Sequence, residues 1–286
     1  MRASLLVALA SLGLGSLEAQ SSLPDPAIED NSFLIEEAYN QEAGVVQHIS
    51  TVTLTGPGRR DIVAGFTQEW PFRGQRHQLS YTLPFQVQQG DAPDGLGDVL
   101  LNYRLQLRST ERLAVAPRLS LILPTGSERK GLGAGTLGGQ VNLPVSVRIS
   151  HGLVGHLNAG MQLLPRVRDE LAAAGPTDRT LTSYTLGGSV IGPVTRPVNL
   201  MLEFVQAWSG TIAPAGGVTH EATSILSPGV RFALNLGGVQ IVPGVGIPIV
   251  FASGEHTTDL LFYLSVEHAF RRGAGQQAGP EAVVRP

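Results

Sequence analysis

The chain contains no cysteine, so neither disulfide staples nor thiolate metal sites can belong to its architecture. Charge is scarce as well. Asp, Glu, Lys and Arg make up 15% of the residues, low for a surface that meets water on every side. The net charge of −3 arises without any basic run, which removes the footprint of a nucleic-acid binder. Beyond residue 19 no run of eighteen apolar residues occurs, so no helix is expected to span a membrane. The seven histidines show no HExxH-type spacing; no metal site and no cofactor are implied.

What is present begins with an export signature. Arg2 supplies a positive start, residues 5–17 are apolar and broken only by small residues, and Leu17-Glu18-Ala19 before Gln20 offers a cleavage site. Residues 1–19 therefore read as a cleaved signal peptide. An exported, weakly charged chain without spanning helices is either a soluble β protein or a membrane barrel.

Periodicity favours the barrel. Val99, Leu101, Tyr103, Leu105 and Leu107 alternate with Leu100, Asn102, Arg104, Gln106 and Arg108, a period of two that belongs to strands. Stretches 141–150 and 77–86 repeat the pattern, and less regular ones fall near 45–54, 62–70, 113–123, 154–164, 181–191, 198–208, 222–234, 239–250 and 260–270. That makes twelve strands of about nine to thirteen residues, enough to cross a bilayer at a 45° tilt. Ordinary strands have about five or six residues. The connections alternate between long ones near 55–61, 87–96, 124–137, 165–180, 209–221 and 251–259 and short ones near 71–76, 109–112, 151–153, 192–197 and 235–238. Outer-membrane barrels alternate extracellular loops and periplasmic turns in this way. The expected fold is all-β: a single antiparallel transmembrane β-barrel of about twelve strands over 45–270. Six prolines inside those strands (84, 117, 144, 228, 243 and 248) oppose it, since each removes a ladder donor. Gln206 also falls on the lipid side.

Alternation turns Arg104, Arg118, Arg148, Arg231, Glu69, Glu203 and Glu267 inward, as candidates to line the lumen. They form either a charged constriction that filters solutes or a bracing ladder of ion pairs. Residues 20–44 carry Asp25, Glu29, Asp30, Glu36, Glu37 and Glu42 with no Lys or Arg. This segment is either a solvated periplasmic leader or a plug, in which 33–41 enter the lumen with their acids opposite Arg104, Arg118 or Arg148. Trp70, Phe72 and Phe270 at periplasmic ends, with Phe85, Trp208 and Phe251 at extracellular ends, form two candidate aromatic belts. The last strand closes on Phe270, the kind of signal that barrel-assembly machinery reads, and residues 271–286 read as a disordered periplasmic tail.

Catalytic patterns are weak. Gly133, Gly135 and Gly138 match a dinucleotide fingerprint, but a strand rather than a helix follows, so a loop is expected. Ser150 and His151 point to opposite faces of a strand, while His48 and Ser50 share a face without an orienting third group. The chain reads as no enzyme. An outer-membrane hydrolase or a soluble periplasmic β-sandwich binding protein are the alternatives.

Three stretches resemble a bacterial family. These are Phe33-Leu34-Ile35-Glu36-Glu37-Ala38-Tyr39-Asn40-Gln41-Glu42, then Gly95-Leu96-Gly97-Asp98 running on to Tyr103-Arg104, and Leu123-Pro124-Thr125-Gly126. The chain resembles the outer-membrane transporters named for the meta-pathway of phenol degradation, over about residues 33 to 270. The resemblance implies a barrel and passage of small molecules, aromatic compounds among them; it brings no catalytic or binding residues. The expectation is passive diffusion across the outer membrane, with outer-membrane lipids, the assembly machinery and a small-molecule solute as partners. A polar interior would make a hydrophilic pore. Dominance of Leu100, Ile122 and Leu164 would open a route for hydrophobic solutes.

Overall fold

The structure, a computed structural model, describes residues 31–56, 58, 61–89, 93–150, 152–169, 177–195 and 197–270. The signal peptide, the tail 271–286, His151 and the acids Asp25, Glu29 and Asp30 lie outside the described residues.

The chain runs through β1 (Val45–Thr55), β2 (Asp61–Pro71) and β3 (His77–Val87). Strand β4 comes in three pieces, Gly95–Leu96, Val99–Leu105 and Arg108–Ser109, and β5 in two, Leu113–Val115 and Arg118–Leu123. Then follow β6 (Gly138–Arg148), β7 (Val154–Asp169), β8 (Thr177–Thr195) and β9 (Val198–Ile212). Strand β10 is Val218–Phe232 with Leu234–Leu236, and β11 is Val239–Gly246 with Ile249–Ala252. Last comes β12, Glu255–Thr258 with Leu260–Ala269. Each strand pairs antiparallel with its chain neighbours, and β12 returns to β1 from Val45↔Ala269 to Leu54↔Leu260. The result is a closed twelve-stranded antiparallel barrel.

Four continuous strands, β7 to the first stretch of β10, are longer than the roughly nine to thirteen residues that periodicity predicts. The 19 residues of β8 reach about 60 Å along the strand. At a 45° tilt that is about 40 Å of height against a hydrocarbon core of ~30 Å. The segments expected as loops near 165–180, 209–221 and 251–259 are largely hairpin extensions; the last shrinks to a Ser253-Gly254 turn, with φ of 52° and 83°. Two successive positive φ values match the twist of a hairpin. Hydrophobic alternation stops where both faces meet water, as at Glu255–Thr258, exposed throughout, but the backbone ladder continues.

Five of the six strand prolines have a structural resolution, while Pro243 stays inside the paired stretch Val239–Gly246. Pro117 and Pro248 sit in the interruptions of β5 and β11. Pro84, Pro144 and Pro228 lie opposite interruptions, where their carbonyls accept the N–H groups of Gly97 (2.8 Å), Ala116 (3.1 Å) and Ile247 (2.9 Å). A broken partner strand thus finds an acceptor at each of these positions.

The wall has an inverted polarity. Leu101, Leu119, Leu157, Leu186, Leu202 and Phe262 are exposed on its outside, while Gln47, Gln78, Asn102, His156, Glu203 and Arg231 are buried inside. This is the pattern of a barrel whose exterior faces lipid. Gln206 does lie on the outer face, where its Oε1 accepts from Ser224 Oγ at 2.6 Å and its Nε2 donates to the Thr223 carbonyl at 3.2 Å. Neighbouring strands therefore satisfy its amide.

The two sequence motifs meet in one extracellular tie. Asp98 Oδ1 accepts from Gly126 N at 2.9 Å and Asp98 Oδ2 from Ala134 N at 2.7 Å, while Thr125 Oγ1 donates to the Gly97 carbonyl at 3.0 Å. The Gly133–Gly138 stretch is thus a loop fastened to β4, and β6 follows it. Asp98→Ala strands two N–H groups, each costing about 1–3 kcal/mol if left unsatisfied. Trypsin is expected to cut the variant at Arg129 or Lys130 far faster than wild type, readable on a gel.

Candidate functional site in the barrel lumen

Residues 31–44 run inside the barrel as a strap that visits the wall strands in order. From the start of β1 it passes β3 at Gln78, β4 at Arg104 and Gln106, β6 at Ser146, β7 at Asn158, β9 at Glu203 and β10 at Arg231. An irregular segment cannot satisfy its own backbone groups, so the wall must supply partners. The wall uses mainly side chains, with the carbonyls of Gln75 and Arg76 accepting from Asn40 Nδ2 at 2.9 and 3.1 Å. Among the described residues no backbone–backbone hydrogen bond joins 31–41 to it.

Arg104 makes the densest grip. Its Nε donates to Asn40 Oδ1 at 2.9 Å, Nη1 to the Glu37 carbonyl at 3.2 Å and Nη2 to the Tyr39 carbonyl at 2.7 Å. Glu69 lies 3.6 Å from the same Nη2 and accepts from Gln78 Nε2 at 2.5 Å. Arg118 forms an ion pair with Glu36 at 2.8 Å. Glu203 Oε1 accepts from Leu34 N at 2.8 Å and Ile35 N at 3.2 Å, and Asn158 holds Glu36 through both its N–H and its carbonyl. Arg231 Nη1 donates to the Asn31 carbonyl at 2.8 Å.

Apolar strap residues dock where the wall lacks side chains. A Cβ on Gly229, Gly244 or Gly246 would run into the Phe33 ring, and one on Gly187 into Ile35. Phe33 lies 5.2 Å from the Tyr263 ring and joins a cluster with Ile191, Met201, Val242 and Leu261. Around Phe33 the inward faces of β8, β9, β11 and β12 therefore form an apolar patch, set in a wall whose inward faces also carry the buried Ser189, Glu203 and Arg231. Between strap and wall remains a cavity of about 170 Å³, whose lining includes the apolar Phe33, Ile49 and Tyr263, the hydroxyls of Thr51, Thr67 and Thr82, and the charged Glu36, Glu69 and Arg118. Leu100 stands opposite Ile122 on β4 and β5, with Leu164 on the same inward face of β7. At the periplasmic end lies a vestibule of about 710 Å³.

Five of the seven inward candidates, Arg104, Arg118, Arg231, Glu69 and Glu203, lie around the strap. Arg148 and Glu267 instead line the vestibule, where Arg148 Nε donates to the Glu111 carbonyl at 3.1 Å. Of the aromatics, Phe72, Phe85, Phe251 and Phe270 are exposed, and Trp70 is half-buried. Trp208 sits well below the end of its strand, because β9 continues to Ile212. The strap's other anchors, Gln78, Gln106, Ser146 and Asn158, carry no charge and were missed. Amides and a hydroxyl at inward positions were the available signal.

Ser146 and His156 do converge. Their Oγ and Nδ1 atoms lie 2.7 Å apart, yet the same hydroxyl accepts from Ala38 N and both side chains are buried under the strap. Without access or a carboxylate on the imidazole, the pair has a positioning role. His48 and Ser50 remain on the outer face, where His48 meets His268 instead.

By fold the chain is an outer-membrane β-barrel. It is similar to an outer membrane channel from Pseudomonas putida, with a TM-score of 0.57 and 13% identity over 82% of this chain and 98% of that one. It is also similar to the NanC porin, with a TM-score of 0.53 and 6% identity over 78% of this chain and 98% of that chain. No family model and no curated protein matches it.

Proposed function

We propose that the protein is a passive outer-membrane channel for small apolar or aromatic molecules, with the strap as its plug. The mixed apolar and hydroxyl lining of the cavity beside Phe33 carries this reading. Phe33, Ile49 and Tyr263 offer a ring an apolar surface, while Thr51, Thr67 and Thr82 offer hydroxyls to a polar substituent. Leu100, Ile122 and Leu164 add apolar surface on the inward face of the wall. The resemblance to the phenol meta-pathway transporters points to the same solutes. Outer-membrane lipids surround the girdle, and the final strand with Phe270 is the segment that assembly machinery would read. Arg104, Arg118, Arg231, Glu69 and Glu203 act here as strap anchors, whereas Arg148 and Glu267 set the charge of the periplasmic exit.

The test is planar-bilayer recording of the refolded protein beside influx of phenol into proteoliposomes. A small ion conductance that phenol depresses, together with phenol influx above that of protein-free liposomes, is expected. Phenol influx equal to that of protein-free liposomes would overturn the reading.

A further inference from the structure

Outside the lumen, two imidazoles meet across the seam that closes the barrel. His48 is the fourth residue of β1 and His268 the next-to-last of β12, both near the periplasmic rim. Neighbouring Gln47 points inward to Ser265 Oγ at 2.9 Å, so His48 and His268 face outward. Their Nε2 atoms lie 3.1 Å apart, with the rings stacked at 5.2 Å and Phe66 packed at 6.2 Å from His48.

The separation has a coordination meaning. Two zinc–nitrogen bonds of about 2.0–2.1 Å place their nitrogens about 2.9 Å apart at a right angle and about 3.3 Å apart at the tetrahedral angle. The observed distance falls between these limits. His268 Nδ1 donates to the Ala269 carbonyl at 2.9 Å, which keeps its proton on that nitrogen and leaves Nε2 as the ring's free lone pair, beside His48. Both rings are partly exposed next to the periplasmic rim, where water at the headgroup level, not the lipid tails, would complete the coordination sphere.

We propose that His48 and His268 together bind one transition-metal cation of imidazole preference, such as Zn²⁺ or Cu²⁺, and that the ion clasps the first strand to the last. Among the described residues no group of three or more ligand side chains gathers, so the clasp has two protein ligands and open positions. Binding requires a closed seam, because only pairing of β1 with β12 brings the rings together. The ion therefore stabilises the closed barrel.

The experiment uses the refolded full chain without a polyhistidine tag, in detergent at neutral pH. Equilibrium dialysis against Zn²⁺ is expected to show one bound ion per barrel. Loss of an outer-sphere partner already weakens sites 10–100-fold; His48→Gln and His268→Gln each remove a direct ligand and should weaken binding by about tenfold or more. His77→Gln, whose ring is bonded to Tyr103 elsewhere on the wall, should leave it unchanged. Zn²⁺ should also raise the temperature of heat-induced gel-mobility change in wild type and in neither seam variant. Cu²⁺ bound to the wild-type barrel should show electron-paramagnetic coupling to two nitrogens, a readout that needs no variant. Coupling to one nitrogen or none, or Zn²⁺ affinity unchanged in a folded His48→Gln or His268→Gln barrel, would overturn the clasp.

Discussion

Deletion of residues 22–40 is expected to raise single-channel conductance by about threefold or more while the barrel still shows heat-modifiable mobility. An eight-stranded barrel is already filled by its own side chains, and diameter grows with strand number, so twelve strands leave a bore. The strap occupies that bore: Phe33 is 7% exposed, Ile35 3%, Ala38 0% and Asn40 3%. Its removal uncovers Arg104, Gln106, Asn158 and Glu203, groups that water can solvate as well as the strap does. The wall keeps every ladder hydrogen bond, so the variant should insert. Planar-bilayer recording at matched voltage makes the comparison, and equal conductance in the two proteins would remove the plug.

Arg104→Ala should unfasten the strap without deleting it. The substitution leaves Asn40 Oδ1 and the carbonyls of Glu37 and Tyr39 without this donor, and leaves Glu69 buried with only Gln78. Removing one partner of a buried ion pair costs about 3–5 kcal/mol. Undocking costs less, because it lets water reach the lumen. The expected record is a channel that flickers to the deletion variant's conductance, with faster proteolysis within 31–44. Glu69→Gln added to Arg104→Met should restore part of the quiet state, since no unpaired charge then remains. A double-mutant cycle measures that coupling, and a steady, wild-type-like trace from Arg104→Ala would assign the arginine to bracing the wall alone.

The strand pattern was legible because lipid on one side and polar lumen on the other impose a period of two on stretches such as 99–108 and 141–150. It failed above the bilayer, where β8 and β9 continue as ladders with water on both faces. Prolines looked hostile because one strand read alone does not show its partner; Pro144 is explained only by the interruption beside it at Ala116. In the lumen, charge pointed to Arg104 and Glu203, but the strap's position depends equally on Asn158, Ser146 and the glycines that make room for Phe33. Those residues acquire meaning only once it is known what lies against them. The periodicity carries no sign of the metal clasp either, since His48 and His268 are 220 positions apart.

That residues 31–41 make no backbone–backbone hydrogen bond to the described residues of the wall has a mechanical consequence. Its departure demands no unzipping of neighbouring strands, so the cylinder is stiff and the cork is separately removable. Heating should accordingly resolve two events, an early loosening of the interior and a later collapse of the cylinder, with the first sensitive to solutes that compete for the same grips.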